Sequence, residues 1–322
     1  MGNWITIERI ISDYFSGGKY QLSKFNFAML LNENLKTYLE NCLSQQISVP
    51  VNIREILAIG GGSINYAYCL NTNAGKFFAK INNASKFPEM FTAEARGLEL
   101  LAETNTFNIP NVIKVGDFEN VSFILMEFIE AGKCVKNFFA DFGSKLATLH
   151  QHTNIYFGLN HDNYIGSLKQ SNIQQKNGVM FFIHERLQVQ IALAEQNRMI
   201  DSSTIEQFEK LYGKLETILP KEKSSLLHGD LWSGNFMTSP GGKACLVDPA
   251  VYYGNREADI AMSKLFGGFD NDFYESYNAT FPLIKGWEQR IDVWNLYPLL
   301  VHVNLFGGGY VAQVKSILKR FC

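Results

Sequence analysis

The stretch Leu226 to Pro249, LLHGDLWSGNFMTSPGGKACLVDP, constrains the fold more than any other part of the 322-residue chain. An apolar run leads into a polar loop carrying His228, Asp230 and Asn235; a Ser-Pro-Gly-Gly turn follows, and a second apolar run ends at Asp248. Apolar runs on either side of such a turn predict a β-hairpin. Asp230 and Asn235 are five positions apart and Asp248 lies thirteen beyond Asn235, so the hairpin delivers two carboxylates and an amide to one edge. That set suits phosphoryl transfer from a magnesium nucleotide, in which one carboxylate orients an attacking hydroxyl while an amide and a second carboxylate hold metal on the phosphates. The alternative is a solvated hairpin whose Asp and Asn serve only its turns.

Upstream, residues 51–82 (VNIREILAIGGGSINYAYCLNTNAGKFFAKIN) have strand character. One strand ends at Ile59, Gly60-Gly61-Gly62 turns, Asn65 to Leu70 begins the return strand, and a third strand covers Lys76 to Ile81. Glycines between strands let backbone amides approach a phosphate with no side chain in the way, although such a triplet serves equally as an ordinary hairpin turn. No Gly-Lys-Ser/Thr follows and the next element is β, which excludes a Walker A loop. Lys80 sits within Phe77-Phe78-Ala79-Lys80-Ile81, where alternation puts it on one face with Phe78. A buried ammonium there needs an anion; otherwise Lys80 is a surface lysine at a strand end. The helix expected over Pro88 to Glu103 has Phe91, Leu98 and Leu101 on one side, and Glu94 on that side can point at Lys80. Strands are expected at Pro110 to Lys114 and Val121 to Ile129, the chain leaving the sheet after Met126-Glu127-Phe128-Ile129. An amphipathic helix over Asn32 to Gln46, with Leu35, Tyr38, Leu39 and Leu43 at helical spacing, is expected to pack on this sheet. Residues 1–32 look like an appended helix and linker and are assigned no chemistry.

With 46% hydrophobic and 19% charged residues, the chain can bury a core as one large domain or two lobes. A formal charge of −2 and the lack of a Lys/Arg run argue against nucleic acid as a partner. The apolar runs fall short of a membrane span and the start lacks a basic-then-apolar pattern, so no membrane partner and a cytoplasmic location are expected. Cys42, Cys69, Cys134, Cys245 and Cys322 show no CxxC or zinc-type spacing and are expected as reduced thiols, mostly buried fillers.

Gly60, Gly62, Lys80, Glu94, the Met126–Ile129 exit strand, Asp230, Asn235 and Asp248 occur in the order and approximate spacing of the protein-kinase-like fold. The helix expected over Val135 to His150 ends eighty positions before Asp230, and two further helices are expected near 180–199 and 203–218. That insertion resembles the small-molecule branch of the fold, with its aminoglycoside and choline kinases. The loop is His-Gly-Asp rather than His-Arg-Asp and the metal triplet is Asp248-Pro249-Ala250, so control by a phosphorylated activation loop is not expected. The phrases GGGSINYAY (60–68), HGDLWSGN (228–235), DPAVYYGNREADIAM (248–262), LFGGF (265–269) and NLFGGGY (304–310) resemble the fructosamine kinase (ketosamine-3-kinase) family from about residue 33 onward. Asn65 replaces the third glycine of a protein-kinase loop, which is tolerable because Asn also visits left-handed conformations. Ser63 stands where some relatives carry a cysteine, so no redox switch is expected there.

The resemblance implies an α+β, bilobal protein-kinase-like fold. Residues 33–130 would form an N-lobe of antiparallel sheet with one main helix, and 131–322 a mainly helical C-lobe, with a hinge near Glu130 to Lys133. It implies that Asp230 accepts or orients the acceptor hydroxyl proton and that Asn235 and Asp248 hold Mg2+. Lys80, braced by Glu94, would contact the α and β phosphates of ATP, and the amides around Gly61, Gly62, Ser63 and Ile64, next to Gly60, would cover the β and γ phosphates. Backbone groups of Glu127 and Ile129 would meet the adenine edge, with Met126 behind it and Phe128 between. His228 is expected to shape the loop rather than shuttle protons, since Asp230 already supplies a base. Asp259 is expected to tie the loop's backbone. Trp232 would stack on a sugar or pack in the core, and Tyr252, Tyr253 and the Gly307–Tyr310 turn would complete the sugar pocket.

Two terminal helices are expected, near 290–306 and 310–321, with His302 as a packed or capping residue. The activity implied is ATP-dependent phosphorylation of the sugar 3-hydroxyl of a ketosamine, free or protein-bound, by a monomer acting in deglycation. An aminoglycoside- or choline-type kinase would want an acidic pocket, for which only Asp270, Asp272 and Glu275 cluster. A catalytically inactive nucleotide-binding protein is disfavoured by the joint presence of Lys80, Asp230, Asn235 and Asp248.

Overall fold

The computed structural model describes residues 31–60 and 64–321. The expectations for residues 1–30 and for Gly61, Gly62 and Ser63 therefore lie outside the described residues. The first helix, α1 (Glu33–Ile47), starts where the Asn32 side chain accepts the Leu35 N–H at 2.9 Å, a standard cap for an otherwise orphaned donor. It lies on a five-stranded antiparallel sheet built from β1 (Ile53–Ile59), β2 (Tyr66–Thr72) and β3 (Gly75–Asn83), then β4 (Val112–Phe118) and β5 (Val121–Glu127), in the order β1-β2-β3-β5-β4. The helix α2 (Met90–Glu103) intervenes between β3 and β4.

Strand alternation divides β3 between two cores. Phe77, Ala79 and Ile81 join Leu35, Leu39 and Leu43 of α1, each fully buried leucine contributing roughly 1.5–3 kcal/mol. Phe78 faces the other way, onto the cluster of Phe91, Leu98 and Met126 beneath α2. Lys80 shares that face and is 6% exposed, so it is no surface lysine. β4 begins two residues later than Pro110 and runs on to Phe118, because pairing with β5 across a register shift at Val112/Lys114 carries the ladder past Gly116. β5 stops at Glu127 rather than Ile129.

Beyond β5 an irregular connection docks through the Gly132 N–H onto the Thr238 carbonyl at 2.7 Å. The next helix, α3 (Phe138–Leu149), starts three residues after Val135 because Asn137 takes a left-handed φ of +64°. The short strand β6 (Thr153–Asn154) and a hairpin of β7 (Asn163–Ile165) and β8 (Leu168–Gln170), none of them expected from the sequence, follow. The helix expected over 180–199 is broken into α4 (Gly178–Phe181), a π-helical turn (Phe182–Gln188) and α5 (Val189–Gln196). The wide turn brings both Glu185 and Arg186 inside, at 7% and 1% exposure. After α6 (Ser202–Ile218) come β9 (Ser224–Leu227), the hairpin β10 (Phe236–Thr238) and β11 (Ala244–Leu246), and β12 (Tyr252–Gly254). The helices α7 (Glu257–Leu265), α8 (Asn271–Thr280), α9 (Trp287–Phe306) and α10 (Gly309–Phe321) complete the chain.

Two large apolar cores sit in this helical part among the described residues, beside a small cluster of Phe157, Phe181, Leu227 and Tyr252. One joins α3 to α8, with the rings of Phe142 and Phe273 5.2 Å apart. The other gathers α5, α6 and α9. Among the described residues no helix is long and apolar enough to cross a membrane. Cys42, Cys69 and Cys245 are buried and Cys134 is exposed, all as free thiols.

Candidate active site

The loop between β9 and β10 is anchored from below. Asp259, in the first turn of α7, accepts the His228 N–H at 2.8 Å and the Gly229 N–H at 2.9 Å, which is the backbone tie expected of it. Gly229 has φ +83°, and a Cβ there would lie 2.0 Å from the Ala250 carbonyl oxygen. That contact admits only glycine and accounts physically for His-Gly-Asp. The next residue, Asp230, thereby projects beside Asn235, whose Nδ2 donates to the Asp230 carbonyl and to Asp230 Oδ2, both at 2.9 Å. Burial pushes the Asp230 carboxyl up to about 7 against the opposing pull of the Asn235 hydrogen bond, and the nearby Asp248 and Asp259 add to the rise.

Lys80 closes the opposite side. Its Nζ donates to Glu94 Oε1 at 2.7 Å and to Asp248 Oδ1 at 2.5 Å. Burial alone would lower the ammonium pKa, but the carboxylates of Asp248 and Glu94 outweigh it and hold Lys80 above its ordinary value. The expected Lys80–Glu94 pair is thus present, and it reaches Asp248 from across the cleft. Asp248 has φ +54°, a strained conformation that a short polar side chain tolerates. Its side chain is 51% exposed. Asn235 Nδ2 is committed to Asp230, so its Oδ1 is the group left for a ligand. One carboxylate and one amide oxygen form a hard, incomplete donor set that fits Mg2+ completed by phosphate oxygens and water.

His228 and His150 lie under this floor with no exposed surface. His228 Nε2 donates to the Val247 carbonyl at 3.0 Å and Nδ1 accepts the Asp230 N–H at 3.3 Å, so the ring is fully engaged in shaping the loop. His150 lies between the Tyr277 hydroxyl (2.8 Å) and Asp259 (3.3 Å). Burial holds both imidazoles below their ordinary pKa. A histidine with a depressed folded pKa is protonated in the unfolded chain first, so the native state loses stability as pH falls below about 6.5. Asp230, shifted the other way, opposes this, and a variant is needed to isolate the term. His150→Gln removes one such group. Between pH 7.5 and 5.5 the wild type is expected to lose more stability than His150→Gln, up to about 1.4 kcal/mol for one fully linked proton, read from urea midpoints; parallel pH profiles would contradict a neutral buried His150.

Just beyond Asp230, the half-buried Trp232 ring lies over Gly234 and 6.0 Å from Phe266. Phe266 stands 4.9 Å from His302, and His302 5.0 Å from Tyr310, giving a partly exposed aromatic wall that begins at Trp232, two residues beyond Asp230. His302 is held by the Pro298 carbonyl at 2.7 Å. His302, expected as a packed or capping residue, packs among Phe266, Phe306 and Tyr310, and the four-residue spacing of His302, Phe306 and Tyr310 places three rings along one edge of the α9–α10 corner. Tyr252 and Tyr253 do not belong to this wall. β12 pairs with β9, and alternation sends their rings to opposite sides. Tyr252 is 5% exposed under the Arg186 guanidinium, 4.0 Å from its ring, while Tyr253 packs on the α3–α8 core. Asp270, Asp272 and Glu275 are exposed residues at the start of α8, where Asp270 Oδ1 accepts the Asp272 N–H at 3.0 Å, and they form no acidic pocket.

At the end of β5, Met126 is buried beneath α2. Glu127 is exposed, and its N–H already donates to the Asn111 carbonyl at 2.9 Å. Phe128 lies under the Lys76 ammonium at 5.6 Å, and Ile129 is half-buried. Gly60 is exposed just after β1 and Ile64 is half-buried just before β2, on either side of the residues not described.

Residues 35–322 match the family model described as Fructosamine kinase. The chain is 40% identical over 271 residues to a protein of Enterococcus faecium named as a probable ketoamine kinase, covering 83% of this chain and 95% of that one. It is 39% identical over 274 residues to the chloroplastic protein-ribulosamine 3-kinase of Oryza sativa subsp. indica, covering 84% and 79%. A solved structure from Haemophilus somnus 129PT, assigned as a fructosamine-3-kinase, superposes with a TM-score of 0.81 at 30% identity, over 89% of this chain and 99% of that one.

Proposed function

Because the chain belongs to the fructosamine kinase family, we propose that it moves the γ-phosphoryl group of ATP to the sugar 3-hydroxyl of a ketosamine with Asp230 as base. The observation that carries the assignment of roles is the convergence of Asp230, Asn235, Asp248 and Lys80 in one cleft. Asn235 holds Asp230 Oδ2, which leaves Oδ1 to take the hydroxyl proton. Lys80, kept charged and aimed by Glu94 and Asp248, contacts the α and β phosphates. Asn235 and Asp248 hold Mg2+, which when bound neutralises charge on the phosphate oxygens. Adenine falls to the Glu127 carbonyl and Ile129, since the Glu127 N–H is occupied, with Met126 behind. Gly60 and Ile64, with Gly61, Gly62 and Ser63 between them, supply the phosphate cover. The lobes divide at about residue 130, where the connection after β5 acts as the hinge. The product, a sugar 3-phosphate beside a carbonyl, eliminates phosphate and releases the amine, so the reaction serves deglycation of free or protein-bound adducts by a monomer in the cytoplasm.

The aminoglycoside- or choline-type alternative loses its acidic pocket to the cap of α8, whereas the aromatic wall at Trp232 suits the apolar face of a sugar. The test is ADP release from Mg-ATP with fructosamine, ribulosamine and erythrulosamine derivatives, an aminoglycoside and choline. Turnover is expected with ketosamines alone, and phosphorylation of choline or the aminoglycoside instead would refute the substrate class. In the same assay Trp232→Ala should raise the ketosamine KM about ten-fold, the loss of roughly 1.4 kcal/mol of stacking, with the ATP KM unchanged. Equal changes in both constants would place Trp232 in the core instead.

A further inference from the structure

Asp248 keeps a left-handed backbone, and the residues after it have few ways to hold that conformation. Pro249 has no N–H, and the Ala250 N–H is spent on the His228 carbonyl at 2.9 Å. The next two carbonyls are gripped from outside the segment. Gln170 Nε2 donates to the Ala250 carbonyl at 3.1 Å, and Asn163 Nδ2 to the Val251 carbonyl at 2.8 Å. Both side chains come from the β7–β8 hairpin and are 1% and 6% exposed.

They are themselves locked. Gln170 Nε2 also donates to Asn163 Oδ1 at 2.8 Å, and Gln170 Oε1 accepts the Tyr297 hydroxyl at 2.7 Å. Asn172 Nδ2 reaches the same Asn163 oxygen at 3.1 Å, and its Oδ1 accepts from Arg186 at 2.8 Å. The amide groups of Asn163 and Gln170 therefore have partners on both sides, the condition under which a buried polar network rigidifies what it touches. The hairpin is also braced at its far end. The Tyr164 hydroxyl donates to the Pro88 carbonyl at 2.9 Å, just ahead of α2. At the turn, Gly166 has φ +58°, and a Cβ there would meet Leu305 Cδ1 at 3.0 Å and Ile64 Cδ1 at 3.4 Å. The hairpin thus spans from the end of α9 to the edge of the phosphate loop.

We infer that Asn163 and Gln170 are positioning residues for the metal site, their side-chain amides fixing the Ala250 and Val251 peptides so that Asp248 presents its carboxylate to the cation. The hairpin does permanently what a switchable activation segment would do reversibly, consistent with a loop that lacks the His-Arg-Asp arginine. This inference rests on the assignment of Asp248 as a metal ligand.

Gln170→Leu removes the donor to Ala250 while filling similar space. Tyr297→Phe breaks the bond to Gln170 but leaves Gln170 free to donate, and it is the control for loss of a buried hydrogen bond as such. The readout is Mn2+ affinity of the ADP complex, followed by the free Mn2+ EPR signal, beside ADP affinity without metal and steady-state kinetics. Gln170→Leu should weaken Mn2+ binding about ten-fold, the scale set by the groups that orient metal ligands. It should also lower kcat while leaving metal-free ADP binding unchanged, whereas Tyr297→Phe should change Mn2+ binding less than two-fold. Asn163→Ala replaces Gln170→Leu if the latter fails to fold, with the same expectation. Wild-type Mn2+ affinity in the hairpin variant, with turnover lost in Asp248→Asn, overturns the inference alone. Retained turnover and Mn2+ binding in Asp248→Asn overturns the metal assignment and the inference with it. Equal weakening in Gln170→Leu and Tyr297→Phe reduces the hairpin to a structural part and also overturns it.

Discussion

Asp230→Asn is expected to lower kcat by about 10²–10⁴-fold, the range for removal of a positioned base, while nucleotide binding stays at the wild-type level. Asn keeps the shape and can still accept the Asn235 Nδ2 hydrogen bond seen at Asp230 Oδ2, but it cannot take a proton from the acceptor. The loss corresponds to roughly 3–5 kcal/mol of transition-state stabilisation. A second consequence has the opposite sign. A carboxyl pushed up to about 7 is harder to ionise in the folded state than in the unfolded chain, so between about pH 4 and 7 the native state binds the extra proton. Stability from this group is therefore present at low pH and lost as pH rises through 7. Asp230→Asn escapes that loss, and its Tm at pH 8 should equal or exceed that of the wild type. For the wild type, kcat/KM should fall on the acid side as Asp230 takes up its proton, with the limb at or below pH 7 and moved lower by a bound cation. Turnover above a tenth of wild type would remove Asp230 from the role of base, and a variant that melts earlier at pH 8 would contradict its raised carboxyl pKa.

The parts of the site that could be read from the chain are those set by short periods. Lys80 among phenylalanines and Glu94 three residues after Phe91 follow from two-residue and 3.6-residue repeats, and each lands where its period puts it. The hairpin expected over Leu226 to Pro249 does not form between its two apolar runs: the run ending at Leu227 pairs with β12 and β6, and the turn closes only the short β10–β11 pair. The Tyr252–Tyr253 pair shows the limit of that logic. Alternation alone guarantees opposite faces, but which face meets the cleft depends on pairing with β9, twenty-five residues upstream. The β7–β8 hairpin escaped for another reason. Its strands are three residues each, and beside Ile165 the inward groups are Asn163 and Gln170, polar side chains that a hydrophobic pattern assigns to solvent. Their partners, Ala250, Val251 and Tyr297, lie eighty or more positions away. The π-helical turn is hidden in the same way, because Glu185 and Arg186 look like an exposed helix face until Ser171 and Asn172 are seen to satisfy them.

Lys80→Met should be as damaging to turnover as any change outside Asp230, and it tests whether the lysine serves chemistry or only the fold. Removing a preorganised donor to developing phosphate charge lowers kcat by about 10²–10³-fold. The same change strands Glu94, whose side chain is 11% exposed, without its cation. Breaking a buried pair by removing one partner destabilises by about 3–5 kcal/mol, an upper figure here because Glu94 can take up a proton instead. Asp248, half exposed, loses its partner at much smaller cost. Lys80→Met should therefore both unfold more easily and turn over slowly, a combination that a structural lysine would also produce. The double variant Lys80→Met/Glu94→Leu separates the two. Replacing both members of a buried pair by apolar groups of similar size is often neutral or stabilising, and Leu at 94 would extend the Phe78, Phe91 and Leu98 cluster. The double variant is expected to recover most of the lost stability, read as the urea midpoint, while its kcat remains at the level of Lys80→Met. Recovery of turnover together with stability would show that Lys80 acts through the fold and that another group contacts the phosphates.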